Sequence, residues 1–142
     1  MVHYVFSTKG RESWLTGEIV PRLYPLIGGI IRERKSVLLE IGGVADHVHL
    51  LVSLGREPSL SDLARDVKSG SSKWIHDTFP NSRSFCWQAG YGVFSVSPSN
   101  ADDVRAYIQN QVEHHRQKTF QEEYRDILRQ HGIEWDERYV WD

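Results

Sequence analysis

Asp46-His47-Val48-His49-Leu50-Leu51-Val52-Ser53 decides the fold. Its β-branched and leucine content reads as a strand from Asp46 to Leu54. Successive side chains on a strand point to opposite faces. His47, His49 and Leu51 therefore share one face, while Val48, Leu50 and Val52 line the other. Upstream, Val37 to Ile41 reads as another strand and Gly42-Gly43 as a turn, so the spacing predicts an antiparallel hairpin.

Working outward, His3-Tyr4-Val5-Phe6-Ser7-Thr8 reads as an opening strand. Residues 18–35 carry Ile19, Leu23, Leu26, Ile27, Ile30 and Ile31 at helical spacing, with Pro25 and Gly28-Gly29 as sites for a kink or shortening. Pro58-Ser59-Leu60-Ser61-Asp62 opens a second helix running to about Phe79. Phe85 to Trp87 and Gly92 to Val96 read as short strands around a Gln88-Ala89-Gly90-Tyr91 bend. Ser99 or Asn100 caps a third helix that runs to about Lys118, with Asp102-Asp103 placed well against its dipole. A fourth helix over 120–131 stops at Gly132. The order β-α-β-β-α-β-α predicts an α+β chain with a ferredoxin-like (RRM-like) antiparallel sheet covered by helices.

The 142 residues fit a single domain, 1–142, and no linker-like stretch divides them. The longest apolar runs fall far short of the ~20 residues of a membrane span, so no membrane is implied. The opening Met1-Val2-His3-Tyr4-Val5-Phe6 carries no basic leader or apolar export core, which points to the cytoplasm. The single Cys86 fits a reducing compartment, and its neighbours Phe85 and Trp87 read as those of a buried structural thiol. A net charge of −2 excludes a broadly basic nucleic-acid surface. Residues 1–87 hold 11 basic and 9 acidic groups and residues 88–142 hold 6 and 10, so the acidic final third is expected to face away from nucleic acid.

Three constellations carry chemistry. His47 and His49, two residues apart on a strand, are able to converge on one metal ion; the plainer reading is two polar residues on a solvated sheet face. On the third helix, Tyr107 and Gln111 are four apart and share a face beside the Val104, Ile108, Val112 stripe; the plainer reading is a half-buried tyrosine and a solvated glutamine. His114 and His115 read as solvated residues near a helix C-terminus. The third is Arg65-Asp66-Val67-Lys68-Ser69-Gly70-Ser71-Ser72-Lys73-Trp74. Here Arg65, Lys68 and Lys73 suit phosphates, and Gly70, Ser72 and their short neighbours let a backbone come close. An exposed helix face explains it equally well. Lys9 and Arg11 are further phosphate candidates.

Taken together these stretches resemble the single-tyrosine HUH transposases of the insertion-sequence 200/605 type. The resemblance is carried by Val5-Phe6-Ser7-Thr8-Lys9, Asp46-His47-Val48-His49-Leu50-Leu51 and Gly70-Ser71-Ser72-Lys73-Trp74-Ile75. It continues through Trp87-Gln88-Ala89-Gly90-Tyr91-Gly92-Val93-Phe94-Ser95-Val96-Ser97, Val104-Arg105-Ala106-Tyr107-Ile108-Gln109-Asn110-Gln111 and Glu134-Trp135-Asp136-Glu137-Arg138-Tyr139. What it implies is an enzyme that cuts and rejoins single-stranded DNA at insertion-sequence ends through a 5′-phosphotyrosine. Tyr107 would be the nucleophile, on a C-terminal helix, and His47, His49 and Gln111 the ligands of Mg²⁺ or Mn²⁺. It also implies single-stranded DNA hairpins as partners, action at a prokaryotic nucleoid, and a homodimer. In that dimer the Tyr107 helix, hinged at Pro98-Ser99-Asn100, would dock on the other subunit's histidines. A domesticated relative that processes chromosomal repeat hairpins and a non-catalytic single-strand binding regulator are the alternatives. The intact set of His47, His49, Tyr107 and Gln111 speaks against the regulator.

Overall fold

The histidine-bearing strand lies inside the sheet, paired on both sides. In the computed structural model, which describes all 142 residues, β1 (Val2–Ser7), β2 (Val37–Val44), β3 (His47–Ser53) and β4 (Gly92–Ser95) form one antiparallel sheet. The strand order is β2-β3-β1-β4. Helices α1 (Val20–Glu33) and α2 (Leu60–Thr78) lie on one face. On the other lie α3 (Ala101–Gln109), the single turn α4 (Gln111–His114) and α5 (Phe120–Gln130). The predicted α+β architecture and element order are those observed.

Alternation on the strands divides the interior in two. Tyr4, Phe6, Val48, Leu50 and Val52 face α1 and α2, where they meet Leu23, Ile27, Ile31, Leu63, Val67 and Ile75. Val5 and Phe94 on the other face meet Phe120, Tyr124, Ile127 and Leu128 of α5, and Leu51 meets Ile108 of α3. With both faces covered, β3 is buried from His47 to Val52. A two-sided sheet explains why polar His47 and His49 are as deeply enclosed as the valines between them.

Several local expectations give way to tertiary contacts. Gly42-Gly43 is not a turn: β2 continues to Val44, with Gly42 opposite His49 and Gly43 opposite Val48. The glycine is needed there because α3 sits directly on the backbone. A Cβ on Gly42 would stand 2.3 Å from the carbonyl oxygen of Ile108. Phe85 to Trp87 forms no strand; Trp87 makes one isolated bridge to Thr8, and the Gln88 side chain accepts the Ser7 N–H at 2.7 Å. Phe85 and Trp87 both turn into the core, which leaves Cys86 between them exposed rather than buried. The third helix ends at Gln109, because Asn110, a poor helix former, leaves helical geometry at φ −96 and ψ 20. Despite Pro25, α1 runs unbroken through residues 20–33.

The α3–β2 contact sets where the site helix rests. Gly42→Ala is expected to cost about 3 kcal/mol of stability, since backbone rather than a flexible side chain must move. Gly17→Ala, with nothing within 4 Å of the added carbon, serves as the control and should stay within about 0.5 kcal/mol. Equal denaturant midpoints for the two variants would contradict this packing.

Candidate active site

His47 and His49 project from β3 beneath α4 and α5, and both are fully buried. Each uses one ring nitrogen for support. His47 Nδ1 is 2.7 Å from Asp46 Oδ1, and His49 Nδ1 is 2.9 Å from His3 Nε2 on β1. The two Nε2 atoms are thereby turned toward one place, an arrangement typical of oriented metal-ligating histidines. Gln111 Oε1 lies 3.2 Å from His47 Nε2 and 3.0 Å from His115 Nε2. The break at Asn110 does not separate Gln111 from Tyr107, for its amide still donates to the Tyr107 carbonyl at 3.4 Å. The Tyr107 ring packs edge-on against His49, 5.6 Å between centroids.

At the centre stands Glu123 of α5, whose side chain is 1% exposed. Its Oε1 lies 2.9 Å from His49 Nε2, 3.1 Å from His115 Nε2 and 3.3 Å from His47 Nε2. Its Oε2 accepts the Tyr107 hydroxyl and is 3.2 Å from His114 Nε2. His114 and His115 are thus not the solvated pair expected of them. Once the chain leaves the helix at Asn110, the α4 turn brings both back toward the carboxylate. The acidic final third does not face wholly away either, since α5 covers the histidines. Donor atoms of His47, His49, His115 and Glu123 all lie within 4.8 Å of one another.

Electrostatics follow from this closed arrangement. Burial opposes the Glu123 anion, but hydrogen bonds with His115, His47 and His49 outweigh it and hold the carboxyl far below its usual range. Burial of Tyr107, reinforced by the Glu123 charge, pushes the phenol above its ordinary value. His3 is lowered to about 3, by burial first and then by His49. Burial also lowers His49. Burial works against charge on His47 too, yet its bonds to Asp46 and Glu123 raise it to about 9. Beside Tyr107 and Glu123 opens a cavity of about 520 Å³, with Lys118, Arg129 and His131 on its walls.

The phosphate candidates scatter. Arg65, Lys68 and Ser72 line a groove of about 390 Å³ between α2 and the Cys86–Tyr91 segment, on the sheet face opposite the histidines. Lys68 is partly committed, donating to the Ala89 and Gly90 carbonyls at 3.0 and 2.8 Å, and burial lowers it to about 8. Lys73 pairs with Asp77 and Arg65 with Asp62, both at the surface. Lys9 and Arg11 form a separate turn after β1, with Arg11 over the Trp141 ring. Gly70 does admit a close neighbour, but that neighbour is Ile30 of α1.

Sequence reasoning missed Glu123, His115 and His3. A signal for Glu123 exists: it interrupts the apolar stripe of Phe120, Tyr124 and Ile127, where a carboxylate is out of place unless it has partners.

Comparison with known proteins follows the same outline. Residues 1–111 match the family described as "Transposase IS200 like". The ISDra2 transposase TnpA of Deinococcus radiodurans is 23% identical over 114 residues, covering 77% of this chain and 81% of the relative. The transposase for insertion sequence element IS200 of Salmonella typhimurium is 31% identical over 121 residues, covering 78% and 76%. A solved Deinococcus radiodurans structure superposes with a TM-score of 0.64 at 24% identity, over 78% of this chain and 88% of that one. A REP-associated tyrosine transposase bound to a REP hairpin gives 0.61 at 18% identity, over 80% and 67%. These two likenesses establish the fold.

The Asp46–His47 bond generates a pH signature in the metal-free chain. A raised histidine pKa stabilises the fold fully below the unfolded value of 6.5, and that contribution fades as pH rises through about 9. With chelator present, Asp46→Asn should lose about 1 kcal/mol at about pH 6 and approach the parent at about pH 10. Denaturant titrations that show the same gap at both ends would refute the assignment.

Proposed function

This chain belongs to the IS200-like transposase family, and from that premise we propose that it cuts and rejoins single-stranded DNA at insertion-sequence ends through Tyr107. The observation that carries this reading is one largely enclosed constellation drawn from separate elements. Two oriented imidazoles come from β3, an amide oxygen from α4 and a phenol from α3. We take residues 1–142 as one working domain of the HUH type.

The chemistry needs a nucleophile that retains the energy of the phosphodiester, and a phosphotyrosine does so. Tyr107 Oη attacks phosphorus, the bond from phosphorus to the 3′ oxygen breaks, and the DNA 5′ end stays on Tyr107. In the resting chain the phenol hydroxyl donates to Glu123, and the proton it gives up in the reaction is balanced by the one the departing 3′ oxygen takes up. Reversal by a free 3′-hydroxyl seals a new junction. His47, His49 and Gln111 would hold Mg²⁺ or Mn²⁺. The donor set fits, because supporting bonds from Asp46 and His3 leave His47 Nε2 turned toward the amide oxygen and both Nε2 atoms turned toward Glu123 Oε1. When bound, such a cation polarises the scissile phosphate and stabilises the charge that develops on it. Tyr107, whose half-buried phenol resists ionisation, has particular need of that positive field.

The hairpin seen with the REP-associated relative supports a folded single strand as the partner here as well. Arg65, Lys68 and Ser72 form the groove proposed to take phosphates. We further propose a homodimer with shared sites. Within one chain Tyr107 already stands against its own His49. Sharing therefore requires α3 to swing out over Pro98–Asn100, the short helical turn that separates it from β4.

Labelled single-stranded oligonucleotides made from the gene flanks test the chemistry. The parent should form a covalent DNA adduct with Mg²⁺ or Mn²⁺ and none in EDTA. Tyr107→Phe should abolish the adduct with DNA binding nearly intact, and His49→Ala should abolish cleavage. Gln111→Ala should do less harm, because water can replace an amide oxygen. Wild-type cleavage by Tyr107→Phe ends this reading.

Sharing has its own test. His47→Ala mixed with Tyr107→Phe, each inactive alone, should recover part of the cleavage once subunits exchange. An inactive mixture with demonstrated exchange assigns each site to a single chain.

A further inference from the structure

One group at the centre of this site is left without a role toward the cation. Glu123 lies beyond residues 1–111, the part of the chain that matches the family. We propose that Glu123 is an additional, anionic metal ligand delivered by α5, one oxygen binding the cation while the other keeps the Tyr107 hydroxyl. The inference rests on the proposed role of His47 and His49 in metal binding.

Placement is the first argument. The donor atoms of His47, His49, His115 and Glu123 fall within 4.8 Å of one another. Ligands that each stand about 2.0–2.4 Å from one ion are separated by no more than about 4–5 Å. No change in the fold is needed to bring Glu123 into such a shell. Its Oε1 is already the common neighbour of the Nε2 atoms of His47, His49 and His115, the face a cation would use.

Chemistry is the second argument. His47, His49 and Gln111 are all neutral donors when they ligate, and two of the three are nitrogen. Mg²⁺ and Mn²⁺ favour oxygen, and Mg²⁺ is usually bound through one or two carboxylates. Glu123 supplies the missing anionic oxygen from a position sealed from water.

The third argument is what α5 gives up. Glu123 stands on its buried side among Phe120, Tyr124 and Ile127, where an apolar residue would pack without desolvating a charge. Its second oxygen accepts from Tyr107 Oη. One carboxylate therefore fixes the distance between the nucleophile and the cation, and the C-terminal helix becomes part of the metal site. An ion-pair cluster with a purely structural role would leave metal affinity unchanged, and this separates the two roles.

The test is Mn²⁺ binding to the full chain, read by electron paramagnetic resonance without DNA. Glu123→Gln, isosteric and uncharged, should weaken Mn²⁺ about 10–100-fold, and His47→Ala should do so at least as strongly. Glu123→Asp should recover part of the loss. An independent measurement on the unmutated chain uses ¹³C-glutamate labelling. Saturating Mn²⁺ or Mg²⁺ should then shift a carboxylate stretching band in the infrared difference spectrum. Binding that depends on His47 but is equal in parent and Glu123→Gln overturns this inference and leaves the histidine site standing. Where Glu123→Gln fails to fold, the absence of any carboxylate shift in the parent overturns it. A parent chain that binds no Mn²⁺, or binds it equally well as His47→Ala, overturns both.

Discussion

A carboxylate with almost no solvent contact survives inside a protein only where donors surround it, and the placement of Glu123 governs much of this structure. Removing an isolated carboxylate from water is so costly that the group would otherwise take up a proton. Here four imidazoles and a phenol meet its two oxygens. Those donors come from β3, from α3 and from the turn after Asn110, so satisfying one anion fixes how three segments meet. The docking of α5, the fold-back of α4 and the tilt of Tyr107 toward the sheet are consequences of the same requirement.

The sheet makes this possible by keeping its two faces chemically distinct. One face is an apolar core closed by α1 and α2, which does not depend on ionisation. The other has a divided interior, with apolar patches under α3 and α5 flanking a polar centre. Because β1 and β3 contribute to both faces, the apolar side holds the strands rigid while the polar side aims His3, His47 and His49. Rigid placement on strands suits a site whose supporting bonds must turn two ring nitrogens to one point. Breaking the apolar face would misplace the histidines without touching them.

How much of this was legible depends on the range of the interaction. The order of elements follows from periodicity, and β3's alternation puts His47 and His49 on one face without any tertiary information. Tyr107 and Gln111 are also local, four residues apart, and they stay together although the helix between them breaks. What escaped was set at long range. His3 supports His49 across 46 residues and Glu123 reaches it across 74, so no local pattern links them. Gly42-Gly43 shows the limit in another form. A glycine pair marks either a turn or a close backbone approach, and only the packing of Ile108 decides between them. Cys86 was misjudged by the same logic, since two inward aromatic neighbours imply that the residue between them points out.

The charges of the cluster also bear on how such a polar centre is accommodated inside the fold. Glu123 is ionised, and His47, raised to about 9, carries a proton at neutral pH and lies between the Asp46 and Glu123 side chains. His3 and His49 stay neutral, because burial disfavours a second charge beside the first. Under the proposed metal role, His47 would have to give up that proton before its Nε2 could serve as a ligand. The half-buried Tyr107 phenol, whose hydroxyl donates to the same carboxylate, is held above its ordinary value by burial and by that charge. The charge on His47 and the resistance of Tyr107 to ionisation thus follow in part from the same carboxylate.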